Sequence, residues 1–294
     1  MNAQPSGNAF QTVLTAFVHA VQWRLWLLWL VLTGLPTLLV SIPAWIALNG
    51  RFGHSPMSAD IAAGRAPGLL LDGLLDDGLP WAALSMGSVL ATGLMLLLSP
   101  LLAAMAAAAW RTRGADLRTL LREGADGYGP MLRMLLWSVI PMGLVLAVGS
   151  GLMGVFLQKA ASAVTPAELA PARWVLLGVV LPLLLVAHAT VEAGRGYLAA
   201  WPQSRGAVRA WISGMRLLFK RPLALLLVEA ITLAAVLLPL PLLVALRQSL
   251  DAASRGGWWL AWLVTCIGVL VVAWARIARL FGMASLARSL PPSS

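Results

Sequence analysis

Six stretches of this chain run on for about 20 residues with scarcely a charge, the length a helix needs to cross a hydrocarbon layer of about 30 Å. They cover residues 25–48, 86–110, 131–156, 174–191, 222–246 and 258–275. Charged residues make up 11% of the chain, where a soluble domain carries about 25%. A polypeptide so poor in charge must find a solvent other than water for much of its surface, and the bilayer is that solvent. The expectation is an all-α integral membrane protein, a single polytopic domain over residues 1–294. Its six transmembrane helices pair as three hairpins joined by amphipathic cytoplasmic linker helices.

The basic residues give the orientation. Arg24, Arg111, Arg113, Arg118, Arg122, Arg133, Arg195, Arg205, Arg209, Arg216, Lys220, Arg221, Arg276, Arg279 and Arg288 fall on one side of the six-span layout. Arg51, Arg65, Lys159, Arg173, Arg247 and Arg255 fall on the other. The side with the excess is cytoplasmic by the positive-inside rule. Both termini are then expected in the cytoplasm. Trp23, Trp26, Trp29 and Trp45 flank the first span as interface anchors.

The linker before the fifth span carries the clearest amphipathic pattern. Between residues 204 and 220, Arg205, Arg209, Arg216 and Lys220 fall within about 60° of one another on a helical projection. Val208, Trp211, Ile212, Met215, Leu218 and Phe219 cluster roughly 110° away. A basic face beside a Trp/Phe/Leu face marks a helix lying on a membrane surface. Arg205, Arg209, Trp211, Arg216 and Lys220 are therefore the expected lipid contacts, and the expected partners are anionic lipids. Pro222 suits the first turn of the span that follows. A second candidate surface helix holds Leu117, Leu120 and Leu121 among Arg118 and Arg122. The breaker-rich residues 124–130 read as a hinge before the third span. Residues 10–21 repeat apolar side chains at helical spacing.

Several chemistries are excluded by residue inventory. Cys266 is the single cysteine, so no intrachain disulfide or CxxC site exists. His19, His54 and His188 form no HExxH pattern. Asp60, Asp72, Asp76 and Asp77 lie in the longest polar interval, residues 49–81, without the spacing of a calcium loop. They read as a solvated acidic face, with a short surface helix over 69–81. No cofactor is expected. The formal charge of +10 sits beside apolar spans, where topology and lipid explain it, so nucleic acid is not an expected partner.

The remaining signals are polar residues inside or bordering spans. Glu229 is the carboxylate well inside a run. Aligning the starts of the odd spans places Thr33, Ser138 and Glu229 at equivalent depth, with Pro36, Pro141 and Thr232 three residues on. Thr33, Ser138 and Glu229 are expected to face inward and approach one another near the bundle axis. His188 and Glu192, four apart, share a helix face at a span boundary.

Trp211-x-x-Gly214-x-x-Leu217-x-Phe219-Lys220-Arg221-Pro222 and the six-span layout together resemble a broad group of bacterial inner-membrane families. These include the YciC-like proteins and the membrane domain found ahead of some glycerophosphodiester phosphodiesterases. The resemblance implies a six-helix membrane protein without the phosphodiesterase catalytic domain. The expected function is non-catalytic: a scaffold or regulator touching anionic lipid, or a membrane-protein partner, through its basic linkers. The alternative is a small transporter or channel using Glu229 in the bundle core, against which stands the lack of a second intramembrane carboxylate or a basic partner. An intramembrane enzyme would have Ser99, Ser138, His188 and Glu192 to work with, and no catalytic spacing unites them.

Overall fold

The apolar runs fold as helices, five of which outlast their runs at both ends. In a computed structural model, which describes residues 9–62, 64–75, 81–162, 165–250 and 254–290, every element is helical. In chain order they are α1 (Ala9–His19), α2 (Trp23–Phe52), α3 (Ser58–Ala62), α4 (Pro67–Leu75), α5 (Trp81–Arg111) and α6 (Leu117–Ser162). There follow α7 (Pro166–Ala200), α8 (Ala207–Lys220), α9 (Pro222–Leu237), α10 (Pro239–Ser249) and α11 (Arg255–Ala287). Six membrane-spanning units result: α2, α5, α6, α7, α9 with α10, and α11. The chain is a multi-pass, all-α membrane protein.

Packing is concentrated at one end of the bundle. There α2, α6 and α9 begin and α5, α7 and α11 end. The alanine-rich tail of α5, residues 104–109, is wholly buried, as are most residues of the last turns of α7 and α11. Small side chains let these helices approach closely, the device by which helices associate without a hydrophobic driving force in lipid. Gly196 shows how closely: a Cβ there would sit 2.6 Å from the backbone carbonyl carbon of Met283. α1 completes this end. Its Val13 and Ala16, and Ala20 just past its end, are buried, Phe17 meets Trp274 edge-on, and the Trp274 indole donates to the Phe17 carbonyl. Arg288 lies over the Trp110 ring, joining the ends of α11 and α5. Toward the opposite end the helices present Leu144, Leu146, Val175 and Leu242 outward, as lipid contact requires.

Residues 124–130 do not form a hinge. α6 continues through them and through Pro130. Gly124 and Gly127 face α5 so closely that a Cβ on Gly124 would lie 2.4 Å from Met105. Tertiary packing thus overrides the low helix propensity of the two glycines. The candidate surface helix around Leu120 is the first turns of this same rod, with Leu120 buried. At about 1.5 Å per residue, the 46 residues of α6 outrun the hydrocarbon layer, and its first turns stand beside the end of α5. The Asp116 carboxylate caps its start by accepting from the Thr119 amide at 3.1 Å. Hydrogen bonds from Thr119 hold that carboxyl below its usual range.

The fifth span breaks between Leu237 and Pro239. Pro239 and Pro241 lack the N–H groups that would continue the ladder. In the polar interval, α4 covers the start of the helix expected over 69–81, whose residues 76–80 lie outside the described residues, and Asp60 pairs with Arg65 at 2.8 Å. Asp76 and Asp77 lie outside the described residues.

α8 crosses the end of α7 on Gly214, where a Cβ would meet the Thr190 carbonyl oxygen at 2.5 Å and the Gly194 nitrogen at 2.8 Å. Leu217 is buried beside it. This accounts for the glycine and leucine of the Trp-x-x-Gly-x-x-Leu pattern.

Candidate functional site

Charged groups that the apolar runs appeared to exclude are gathered inside the bundle. Glu229, about two turns into α9, is 4% exposed. Its Oε1 lies 2.7 Å from His188 Nδ1 on α7 and 3.3 Å from Arg279 Nη1 on α11. A carboxylate accepts, so Nδ1 carries a hydrogen, and in the neutral ring Nε2 accepts from Arg279 Nη1 at 3.4 Å. Arg279 Nε donates at 3.1 Å to Thr232 Oγ1, whose own hydroxyl donates to the Val228 carbonyl at 2.8 Å. Three helices are tied at one point. Glu229 Oε2 has no partner.

A second pair stands one turn nearer the packed end of α7. Glu192 Oε1 accepts from Arg195 Nη1, and lies 4.0 Å from His188 Nε2. Glu192, Arg195 and the two partners of Glu229, His188 and Arg279, border a cavity of about 500 Å³, with Ser99, Ser138, Met142 and Arg276 also on its wall. Arg276 is exposed within this space and makes no hydrogen bond or ion pair among the described residues. Three guanidinium groups, Arg195, Arg276 and Arg279, thus stand on this wall with the Glu192 carboxylate, and the Glu229 carboxylate is buried behind His188 and Arg279. Charge this far inside apolar spans is costly and must be paired, hydrated or met by a ligand.

Beyond Arg276 the cavity adjoins a second space of about 650 Å³ between α2, α5, α10 and α11, open toward lipid. Trp29, Val272 and Arg276 belong to both walls. Its lining is mainly apolar, with Arg247 toward the far end donating to Thr265 Oγ1 at 3.0 Å.

The residues expected to converge on the axis are distributed differently. Glu229 is buried, but its partners are His188 and Arg279. Ser138 lies on the cavity wall and donates to its own helix at Leu135. Thr33 lies on the apolar groove and donates to the Trp29 carbonyl at 2.8 Å. Neither hydroxyl bonds to Glu229. The His188–Glu192 pair is present at 4.0 Å, though His188 makes its shorter contact with Glu229. Arg205, just before α8, and Arg209, Arg216 and Lys220 on it are exposed, beside exposed Val208, Ile212 and Phe219. Trp211 differs from them. It is half-buried, meets Trp137 edge-on and donates to Thr190 Oγ1 at 3.3 Å. It fastens α8 to α7 and α6.

Arg195, Arg276 and Arg279 were missed because each span was ended where charge began. The signal was present: His188, Glu192 and Arg195 are spaced by four and three, as are Arg276 and Arg279 by three. Such spacing puts each set on one face of a continuing helix. No family model, curated protein or solved structure matches the chain.

Proposed function

We propose that this chain is a non-catalytic carrier of a bacterial inner membrane, with both termini cytoplasmic, that takes an anionic substrate into the cavity between α5, α6, α7, α9 and α11. One observation carries the reading. Three guanidinium groups border a cavity enclosed by apolar helices against two carboxylates, Glu192 on its wall and Glu229 buried behind His188 and Arg279, leaving one positive charge in excess. Intramembrane ionisable residues mark substrate and ion pathways. The excess charge selects for anions, and His188 and Glu229 offer sites for a coupling proton. The basic partner whose absence weighed against a carrier is supplied by α11.

The second reading is a scaffold or regulator that touches anionic lipid. It rests on α8, whose exposed basic and apolar side chains suit a membrane surface. Purification decides between them. The parent protein and Arg276→Gln are isolated in mild detergent and denatured, and released small molecules are identified by mass spectrometry. We expect one anionic compound to accompany the parent and to be depleted in Arg276→Gln. The same compound should enter proteoliposomes bearing the parent. A bound compound that fails to cross favours the scaffold. Recovery of no anionic compound that distinguishes the two proteins overturns the carrier.

A further inference from the structure

Arg276 occupies an unusual depth. Phe219 and Leu223, around the α8–α9 junction, are 79% and 82% exposed, so hydrocarbon begins near their level. Glu229 lies seven residues beyond Pro222, about 10 Å deeper along the helix. Arg279 is level with Glu229, since they pair. α11 runs toward the packed end, so Arg276 is about one turn deeper still. That places it about 15 Å in, near the middle of a layer of about 30 Å. An arginine there ordinarily pairs with an acid of the protein or reaches the interface. Arg276 makes no such pair, although Glu192 lies close enough to attract it.

The surroundings divide into two kinds. On one side is the polar cavity with Arg195, Arg279 and Ser138. On the other is the apolar groove, which follows α11 from Arg276 to Val264 and α2 from Trp29 to Val40. Twelve and eleven residues of helix make that length about 16–18 Å. The groove leads away from the guanidinium and is narrow enough that Gly268 is flanked by Leu240 and Leu243 of α10. A Cβ on Gly268 would meet them at 3.6 and 4.0 Å. A polar, cationic pocket joined end to end with an apolar channel matches one ligand shape.

We propose that the two spaces form one site for a single-chain anionic amphiphile, its acidic head on Arg276 in the polar cavity and its chain in the groove between α2, α5, α10 and α11. The inference rests on the anion-carrier reading and names its substrate class. Charge complementarity fixes the head at Arg276, because the other two cavity arginines already have carboxylate partners. Hydrophobic burial fixes the chain. Arg247, toward the far end, is held by Thr265 and contributes its apolar stem.

The test uses the full chain in a non-ionic detergent and three probes read by thermal unfolding. Oleoyl lysophosphatidate carries chain and charge, monooleoylglycerol the chain alone, glycerol phosphate the charge alone. Oleoyl lysophosphatidate should raise the midpoint saturably, and monooleoylglycerol should not. Arg276→Gln should weaken the apparent affinity by about tenfold or more, the worth of one charge-assisted hydrogen bond. Gly268→Leu should weaken it similarly by filling the groove. Gly268→Ala is the folding control, since its Cβ makes ordinary contacts. Arg209→Gln with Arg216→Gln should leave the response in place, which separates this site from the lipid-facing surface of α8. Equal response to monooleoylglycerol, or a Gly268→Leu protein that binds like the parent, overturns the amphiphile site. A glycerol phosphate response as strong as that to oleoyl lysophosphatidate, removed by Arg276→Gln and kept by Gly268→Leu, would also overturn it, while leaving the anion carrier standing. Loss of every anion response in the parent would sink both.

Discussion

At the scale of the residue, Glu229 is where cost and use meet. Its Oε1 is shared by an imidazole and a guanidinium while Oε2 has no partner. Removing one member of a buried ion pair leaves the other uncompensated, typically at about 3–5 kcal/mol. Glu229→Leu strands Arg279 in this way and removes an acceptor from His188. It should lower the thermal midpoint sharply. Glu229→Gln keeps an oxygen toward both donors and should lose much less stability. If the two variants unfold at the same temperature, the ion pair contributes nothing and the residue is held by shape alone. Glu229 itself was legible in the sequence, as a lone carboxylate in an apolar run. Its partners were not, because they stand 41 and 50 residues away along the chain on other helices. A linear alignment of span starts offered Thr33 and Ser138 instead. Both hydroxyls sit on cavity or groove walls, yet each is satisfied by a carbonyl of its own helix. A hydroxyl in an apolar helix can always do this, so equivalent depth did not require convergence.

At the scale of the element, composition showed where helices cross the membrane but not where they stop. Alanine explains the difference. Ala104 to Ala109 and the alanines of α7 and α11 carry too little hydrophobic area to look like core, yet they pack helix against helix. Charged residues between them therefore remain inside long helices. The glycines act in the same way. Gly124 and Gly127 read as breakers and serve as contact points in α6. Gly214 gives a direct check. A Cβ there would fall 2.5 Å from the Thr190 carbonyl oxygen, a backbone atom that cannot move aside alone. Gly214→Ala should therefore push α8 from α7 and cost about 1–3 kcal/mol by overpacking. It should also loosen the Trp211–Thr190 hydrogen bond. Gly206→Ala places its Cβ no closer than 3.7 Å to the Arg209 side chain and should change stability by less than about 0.5 kcal/mol. Thermal unfolding of the two variants beside the parent makes the comparison. Indistinguishable midpoints would mean that α8 rides on α7 without being fixed by it.

At the scale of the whole molecule, the question is which way the packed end faces. The interior site takes three cations out of the topology count. Of the fifteen cations assigned to the packed side, Arg195, Arg276 and Arg279 belong to the interior site, so they report on ligand and pairing rather than on topology. Twelve remain there against six on the other side, still a two-to-one excess. The remaining cations also lie in short segments next to span ends, where the bias acts most strongly. Arg24 donates to the carbonyls of Gly114 and Ala115, and Arg111 pairs with Glu123 at 3.2 Å, so some of this charge also ties the linkers together. A cytoplasmic packed end is the expected outcome. Single cysteines at Gln203 and Ala59, both exposed, report on the packed and opposite ends in a Cys266→Ser background. An impermeant thiol reagent added to intact cells should label position 59 and spare position 203, and lysis should expose both. Labelling of 203 alone from outside would invert the molecule. The anionic head would then meet Arg276 from the cell exterior, and the groove would open toward the inner leaflet. Labelling of both positions would mean that the two ends share one side, which the three complete crossings between them, α5, α6 and α7, forbid. That result would break the six-span arrangement itself.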